Sequence, residues 1–465
     1  MIKNFRFRSG IGLGFAMLFI FNIGLLVAAV IATNHLLAAC AIVLSCIQYY
    51  LHNRFGQNSG TIKNYPFKYL LKDVFSFIPQ KITRLLFTSH KINSTLTEKE
   101  RVLLARRLKN VGTAVVEDNL LNAHDPGFEY LQTHPAFMQL NPLNLRVEIG
   151  TTECHRPYSL SVFNFGAMDR DDLHKKGVHA VSQAANMCNC AVNPGAKGLT
   201  PELVRGGGDI IWQMSYNDIA LRNPDRSFNE TLIKSITGKP YVKMIEVKFH
   251  SDQGTAPQMA LSEFAICSLI KKLRLWSGGK PVGIHLLNPG KEVIGLLGKS
   301  MVSSGICFDF ISIEESRVRN FLLHKASEQR FFEAVFTAKS LVRNYGLQTK
   351  IIATGVIVTE YDILRLAALG ADACFNAVGT LMADGLIKRQ LASRVGSQSI
   401  RMANFHRNTT EATRALMQRC GYEKLSEADP ADFFRRINAL EVIPLSDIFC
   451  QTGREKYIAQ YLHLN

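Results

Sequence analysis

The chain has 465 residues, with 54 Lys and Arg against 38 Asp and Glu for a net charge of +16, so a large domain plus an accessory region is expected. The charge is unevenly placed: residues 1–110 hold 15 Lys/Arg and 3 Asp/Glu, a surplus of 12, which leaves only +4 for the other 355 residues. A nearly balanced main domain argues against a nucleic-acid-binding face, and ten cysteines with no paired C-x-x-C spacing argue against a zinc site and for reduced, buried thiols.

Residues Ile11 to Thr33 form 23 uncharged positions rich in Leu, Ile, Val, Phe and Ala, long enough to cross a hydrocarbon core of about 30 Å. A second uncharged run, Leu36 to Leu51, follows Asn34-His35 and ends in Tyr49-Tyr50, aromatics that settle at a membrane interface. Lys3, Arg6 and Arg8 precede the pair, Arg54, Lys63, Lys68 and Lys72 follow it, and the turn between carries no charge. The pattern predicts a transmembrane helical hairpin over residues 11–51 with both ends cytoplasmic, hence an inner-membrane protein contacting lipid there. A cleaved signal peptide is disfavoured because the apolar stretch is too long and no clean cleavage site ends it. From Lys63 to Lys109, Tyr65, Phe67, Phe75, Phe77 and Ile78 are interleaved with basic residues. Such a segment lies against anionic lipid at about 1 kcal/mol per cation, or else is a solvated linker. Thr97-Glu98-Lys99-Glu100 opens a helix that runs to Leu108, and Asn110-Val111-Gly112 ends it.

From Pro142 onward apolar strands alternate with helical patterns. The candidate strands are Ser161 to Met168, Cys190 to Pro194, Asp209 to Ser215, Val242 to His250, Pro281 to Leu287, Phe308 to Glu314, Ile351 to Val356 and Cys374 to Val378. Eight parallel strands with intervening helices, such as Ala260 to Trp276 and Lys291 to Ser303, predict a (β/α)8 TIM barrel. The clearest unit is Lys350 to Thr380, where a strand stops at Thr354-Gly355, Ile363, Leu364, Leu366 and Leu369 recur at helical spacing to Gly370, and a second strand reaches Gly379. Gly355 and Gly379-Thr380 at adjacent strand ends could form a phosphate cradle or simply serve two turns. Cys188-Asn189-Cys190 reads as two thiols on one strand face, either small core residues or a metal or redox pair. A late amphipathic helix covers Asn404 to Gly421, and the tail after Pro430 is expected to pack on the outside of the barrel. The expected divisions are a hairpin at 1–55, a basic juxtamembrane helical region at 56–141, the barrel at 142–400 and a C-terminal helical extension at 401–465.

Several of these segments together resemble the FMN-binding glutamate synthase family in its membrane-anchored bacterial branch. They are Asn64-Tyr65-Pro66, Gly208 to Gln213, Val242 to Lys248, Gly278 to Gly283, Ala368 to Cys374, and Phe405-His406-Arg407-Asn408-Thr409. The resemblance runs from about Asn64 to Cys450 and implies a barrel with FMN as cofactor. It places Ala167, Met168, Gln213, Lys248 and His285 against the flavin ring and Gly355, Gly379 and Thr380 at its phosphate. The family makes glutamate from 2-oxoglutarate and ammonia.

The loops depart from that pattern. Asp169-Arg170-Asp171-Asp172 replaces an apolar turn, Lys197 enters where an acidic group is usual, and Gly254 falls at the substrate-binding lysine. His285 stands at a flavin-facing lysine, as a conditional cation or a buried neutral ring. Glu314-Glu315-Ser316-Arg317 replaces a glycine-rich loop, and no cysteine lies between Cys374 and Cys420 to ligate the family's iron–sulfur cluster. No metal site is expected. These departures suggest a degenerate glutamate-synthase-like barrel that binds a small molecule or a protein at its mouth without glutamate synthase activity. The alternatives are an FMN-dependent oxidoreductase acting on an amino acid, an oxo acid or some other altered substrate, or a new acid–base group of His250, Asp252, His285, Glu314 and Arg317.

Overall fold

The computed structural model describes Gly24 and residues 41–45, 96–112, 114–133, 144–166, 175–195, 198–249, 263–315, 325–377 and 395–449. The chain forms two units, Met1–His90 and Lys91–Asn465. In the first, Gly24 and residues 41–45 are helical; the rest of the expected hairpin and the stretch 46–95 lie outside the described residues. Among the described residues no helix is long and apolar enough to cross a membrane.

The second unit opens with α1 (Glu98–Leu108), started by a reciprocal capping box in which the Thr97 side chain accepts from the Glu100 amide and the Glu100 side chain accepts from the Thr97 amide. Strand β1 (Glu129–Leu131) follows, then a hairpin of β2 (Arg146–Ile149) and β3 (Tyr158–Ser161). The barrel strands are β4 (Phe163–Phe165), β5 (Ala191–Val192), β6 (Asp209–Ser215), β7 (Val242–Lys248), β8 (Val282–Leu287), β9 (Phe310–Glu314), β10 (Lys350–Gly355) and β11 (Ala373–Asn376). Each pairs in parallel with its neighbours, and β11 returns to β4 to close the ring. The connecting helices are α2 (Lys175–Cys188), α3 (Pro201–Gly206), α4 (Glu230–Thr237), α5 (Glu263–Trp276), α6 (Lys291–Ser304), α7 (Lys325–Asn344) and α8 (Glu360–Ala368), with α9 (Val395–Cys420) after β11. Strands β12 (Phe433–Arg436) and β13 (Val442–Pro444) make a small antiparallel sheet with β1, and α10 (Leu445–Phe449) ends the described chain.

All eight expected barrel strands are present, all but β6 with an end shifted by one to three residues, and two corrected boundaries have a tertiary cause. The first strand, expected from Ser161, begins at Phe163, because Ser161 still pairs with Arg146 in the hairpin and the chain bends at Val162. The late helix begins at Val395 rather than Asn404; its first turns are polar, and they dock through Ser399 Oγ, which donates to Gln183 Oε1 at 2.7 Å. The thiols of Cys188 and Cys190 do not share a strand face. Cys188 ends α2, Asn189 turns the chain with φ +49°, and only Cys190 leads into β5. Burial pushes the Cys188 thiol up to about 11 and Cys190 well above its ordinary value, so both stay protonated.

Period-two alternation along the strands divides the barrel into faces. Outward residues such as Ile210, Trp212, Ile245, Val247, Ile284, Ile311, Ile313 and Ile351 join the main core with the helices. Inward residues near the strand starts, Ile211, Met244, Phe310, Ile352 and Ala373, together with Phe375 further along β11, form a separate apolar cluster with Ile149 and Leu160 of the hairpin. Gly283 takes its place in this interior because the Phe310 carbonyl would stand 2.4 Å from a Cβ there.

The Phe405-His406-Arg407-Asn408-Thr409 segment lies in α9 and ties three parts of the unit together. His406 Nε2 donates to the Phe163 carbonyl at 2.8 Å, and burial lowers this ring to about 4, leaving it neutral. Asn408 Nδ2 donates to the Arg107 carbonyl at 2.9 Å. Arg107 is fully buried; it pairs with Glu360 at 2.5 Å and also donates to Thr409 Oγ1 and to the Val358 carbonyl in the loop after β10. The Val116 amide donates to the other Glu360 oxygen at 2.6 Å.

Candidate functional site at the C-terminal end of the barrel

Moving up the barrel from the apolar cluster, the same inward positions change character. Gln213 on β6, Glu246 and Lys248 on β7, His285 on β8, Ser312 and Glu314 on β9, and Thr354 on β10 continue the alternation toward the C-terminal ends, and all are buried. Register brings them together, since Gln213 lies beside Glu246, Lys248 beside His285, and His285 beside Ser312. Active sites of (β/α)8 barrels are built from residues at these strand ends.

The contacts form one self-consistent network. Glu246 Oε2 accepts from Asn193 Nδ2 at 2.7 Å and from Gln213 Nε2 at 2.6 Å, while Gln213 Oε1 accepts from Lys248 Nζ at 3.1 Å. The Gln213 amide therefore relays between a carboxylate and an ammonium. His285 Nε2 is 2.6 Å from Glu314 Oε2, and Lys248 Nζ is 3.8 Å from the same oxygen. His285 Nδ1 lies 3.4 Å from Glu246 Oε2, close enough for ion pairing but outside hydrogen-bonding geometry.

Burial by itself would push His285 down, yet the carboxylates of Glu246 and Glu314 outweigh it and raise the ring to about 9. Burial would likewise raise Glu246, and the His285 charge with hydrogen bonds from Ser312 and Gln213 brings it to about 2. At neutral pH His285 is an imidazolium, which decides between the two states left open by the sequence. Two carboxylates then face two cations. His285 and Lys248 point inward beside these carboxylates as donors.

Four of the eight sequence-derived site residues are described here: Gln213, Lys248 and His285 share the network, and Gly355 ends β10 one strand further round. Ala167, Met168, Gly379 and Thr380 lie outside the described residues, as do Asp169, Lys197, His250, Asp252, Gly254 and Arg317. Of the alternative acid–base group, His285 and Glu314 meet directly. Glu246 lay within the Val242 to Lys248 segment without being singled out, and Asn193 and Ser312 were missed. The available signal was a polar residue at each alternate position near the end of a Val/Ile-rich strand.

At the β10 end the Val356 amide, the first after Gly355, donates to Glu315 Oε2 at 3.2 Å. Glu315 is itself buried, and its amide donates to the Thr354 carbonyl at 2.8 Å, extending the β9–β10 ladder by one step. Among the described residues no group of three His, Cys, Asp or Glu side chains is placed to hold a metal ion.

No family model matches the chain. It is similar to the glutamate synthase large subunit-like protein YerD of Bacillus subtilis (strain 168), with 27% identity over 309 residues, covering 58% of each chain. The match therefore spans little more than half the length of that relative. Among solved structures, a lactate oxidase of Pediococcus acidilactici aligns at TM-score 0.44 with 15% identity over 68% of this chain and 83% of that one. A mandelate oxidase aligns at TM-score 0.46 with 13% identity over 76% of this chain and 98% of that one. Neither structural likeness bears on function.

Proposed function

We propose that the chain is an FMN-dependent oxidoreductase of the glutamate-synthase-like kind, acting on an amino or oxo acid or another altered substrate rather than making glutamate. The observation that carries this reading is the buried cluster of Gln213, Glu246, Lys248, His285 and Glu314 at the C-terminal strand ends. Burying four charges in place of apolar side chains is a poor way to gain stability, so a cluster at this end of a barrel is better explained by a ligand that uses it. The similarity to a glutamate synthase large subunit-like protein supports the same direction.

The residues present fit the polar edge of a flavin ring. Gln213 would supply an amide, Lys248 and protonated His285 would supply cationic donors, and Glu246 and Glu314 would hold those donors in place. The bound flavin would supply two-electron redox chemistry. A protonated His285 meets the requirement for a cation that a lysine meets in the glutamate synthase pattern. A second reading, a barrel kept as a binding or scaffold surface, is favoured by one observation, the Glu315 carboxylate on the amide next to Gly355.

Absorption spectroscopy of the full chain purified in detergent separates the two. A flavin spectrum, as isolated or after adding FMN, is expected and would count against the scaffold reading. A colourless protein that takes up no FMN would refute the oxidoreductase reading.

A further inference from the structure

We propose that the Val356 amide is an anion-binding position that Glu315 fills from within the chain, so that a phosphate monoester can use this turn only by displacing the carboxylate. The inference deepens the flavin reading and rests on it for the identity of the ligand, FMN.

Three observations converge on this pair. Glu315 Oε2 accepts the Val356 N–H at 3.2 Å at the C-terminal end of a barrel strand, where a ligand or water would otherwise meet that donor. The Glu315 side chain is 1% exposed, and its backbone is pinned by the 2.8 Å hydrogen bond to Thr354, so the carboxylate is held at the turn rather than swinging in solvent. Gly355 does not occupy the left-handed region that would require glycine; what its missing side chain provides is room, because Glu315 Oε2 lies 3.0 Å from where a Cβ would stand. Glycine and amide together thus accommodate an anion, and the anion present belongs to the protein.

Glu315 meets the Val356 N–H with a carboxylate oxygen. A carboxylate has a further effect: it repels a phosphate sharing the same donor. Because Glu315 is tethered, it competes at an effective concentration that free phosphate does not reach at ordinary levels. The consequence is a site that recognises a ring system at Gln213, Lys248 and His285 while gaining little from the phosphate of its ligand.

The test compares FMN with riboflavin, which lacks the phosphate, by fluorescence quenching on the full chain and on E315Q and E315S. E315Q removes the charge with little change of shape, and E315S also opens the amide. Native protein should bind the two flavins within about threefold of each other, whereas the variants should bind FMN about tenfold or more tighter with riboflavin unchanged, the worth of a hydrogen bond to a charged group. A native chain that already prefers FMN as strongly as the variants do would overturn the proposal. If no flavin binds any of the three proteins, the flavin reading fails and inorganic phosphate decides the Glu315 question alone. A rise in melting temperature with phosphate in the variants but not in the native chain supports it, and equal responses overturn it. Either variant suffices should the other fail to fold.

Discussion

Replacing His285 with Gln should remove a pH dependence of stability that the native chain carries. His285 is raised to about 9 in the folded chain, against about 6.5 when unfolded. Its contribution is therefore complete below pH 6.5 and is lost as pH rises through 9, because across that window the folded state holds a proton that the unfolded state has released. The shift corresponds to something on the order of 3 kcal/mol. For the unit Lys91–Asn465, unfolding entropy of about 2 cal/mol/K per residue turns this into roughly 4 °C of melting temperature. The assay is thermal unfolding of native and H285Q chains, in detergent, from pH 6 to pH 9.5. Lys280, lowered to about 8 chiefly by its burial, titrates in both chains and cancels in their difference. H285Q should melt lower at pH 6, and the gap should close as pH approaches 9.5. A gap independent of pH would show that His285 is not an imidazolium held between Glu246 and Glu314.

Arg107→Met should destabilise the unit by about 3–5 kcal/mol in chemical denaturation, since Glu360 would be left as a buried, uncompensated carboxylate. The double variant R107M/E360L should recover most of that loss, whereas an equal or larger loss in the double variant would show that the packing of the Arg107 stem matters more than the charge. Gly283→Ala should cost about 1–3 kcal/mol by overpacking, because the added Cβ meets the backbone carbonyl of Phe310, which cannot rotate away. An unchanged melting temperature for G283A would mean that β8 and β9 can separate at little cost.

Much of the architecture was legible in local pattern. Short Val/Ile-rich runs between helical periods announced eight barrel strands, and β6 was read with both ends correct, because a run bounded by Gly208 and Tyr216 has clear ends. The capping box at Thr97 and Glu100 also placed the start of α1. Where local pattern failed, a tertiary contact had intervened. The bend at Val162 exists because Ser161 finds Arg146, and the first turns of α9 are helical on the surface of α2.

The candidate site divides in the same way. Gly355 could be picked out from the turn that ends its strand, whereas Gln213, Lys248 and His285 were singled out through the resemblance to the glutamate synthase family. Only the closed barrel decides that His285 on β8 lies between Glu246 on β7 and Glu314 on β9, and hence that it is protonated, since proton affinity depends on which charges lie within a few ångströms. The same holds for Glu315, which sequence reasoning read as a bulky replacement in a glycine loop. The pairing of β9 with β10 brings its carboxylate to the Val356 amide, 41 positions away along the chain. Sequence by itself determined which residues could bear charge inside this barrel and at which strand ends. The tertiary structure decided which charges meet, because register and ring closure are set by the packing of the whole unit and not by any one segment.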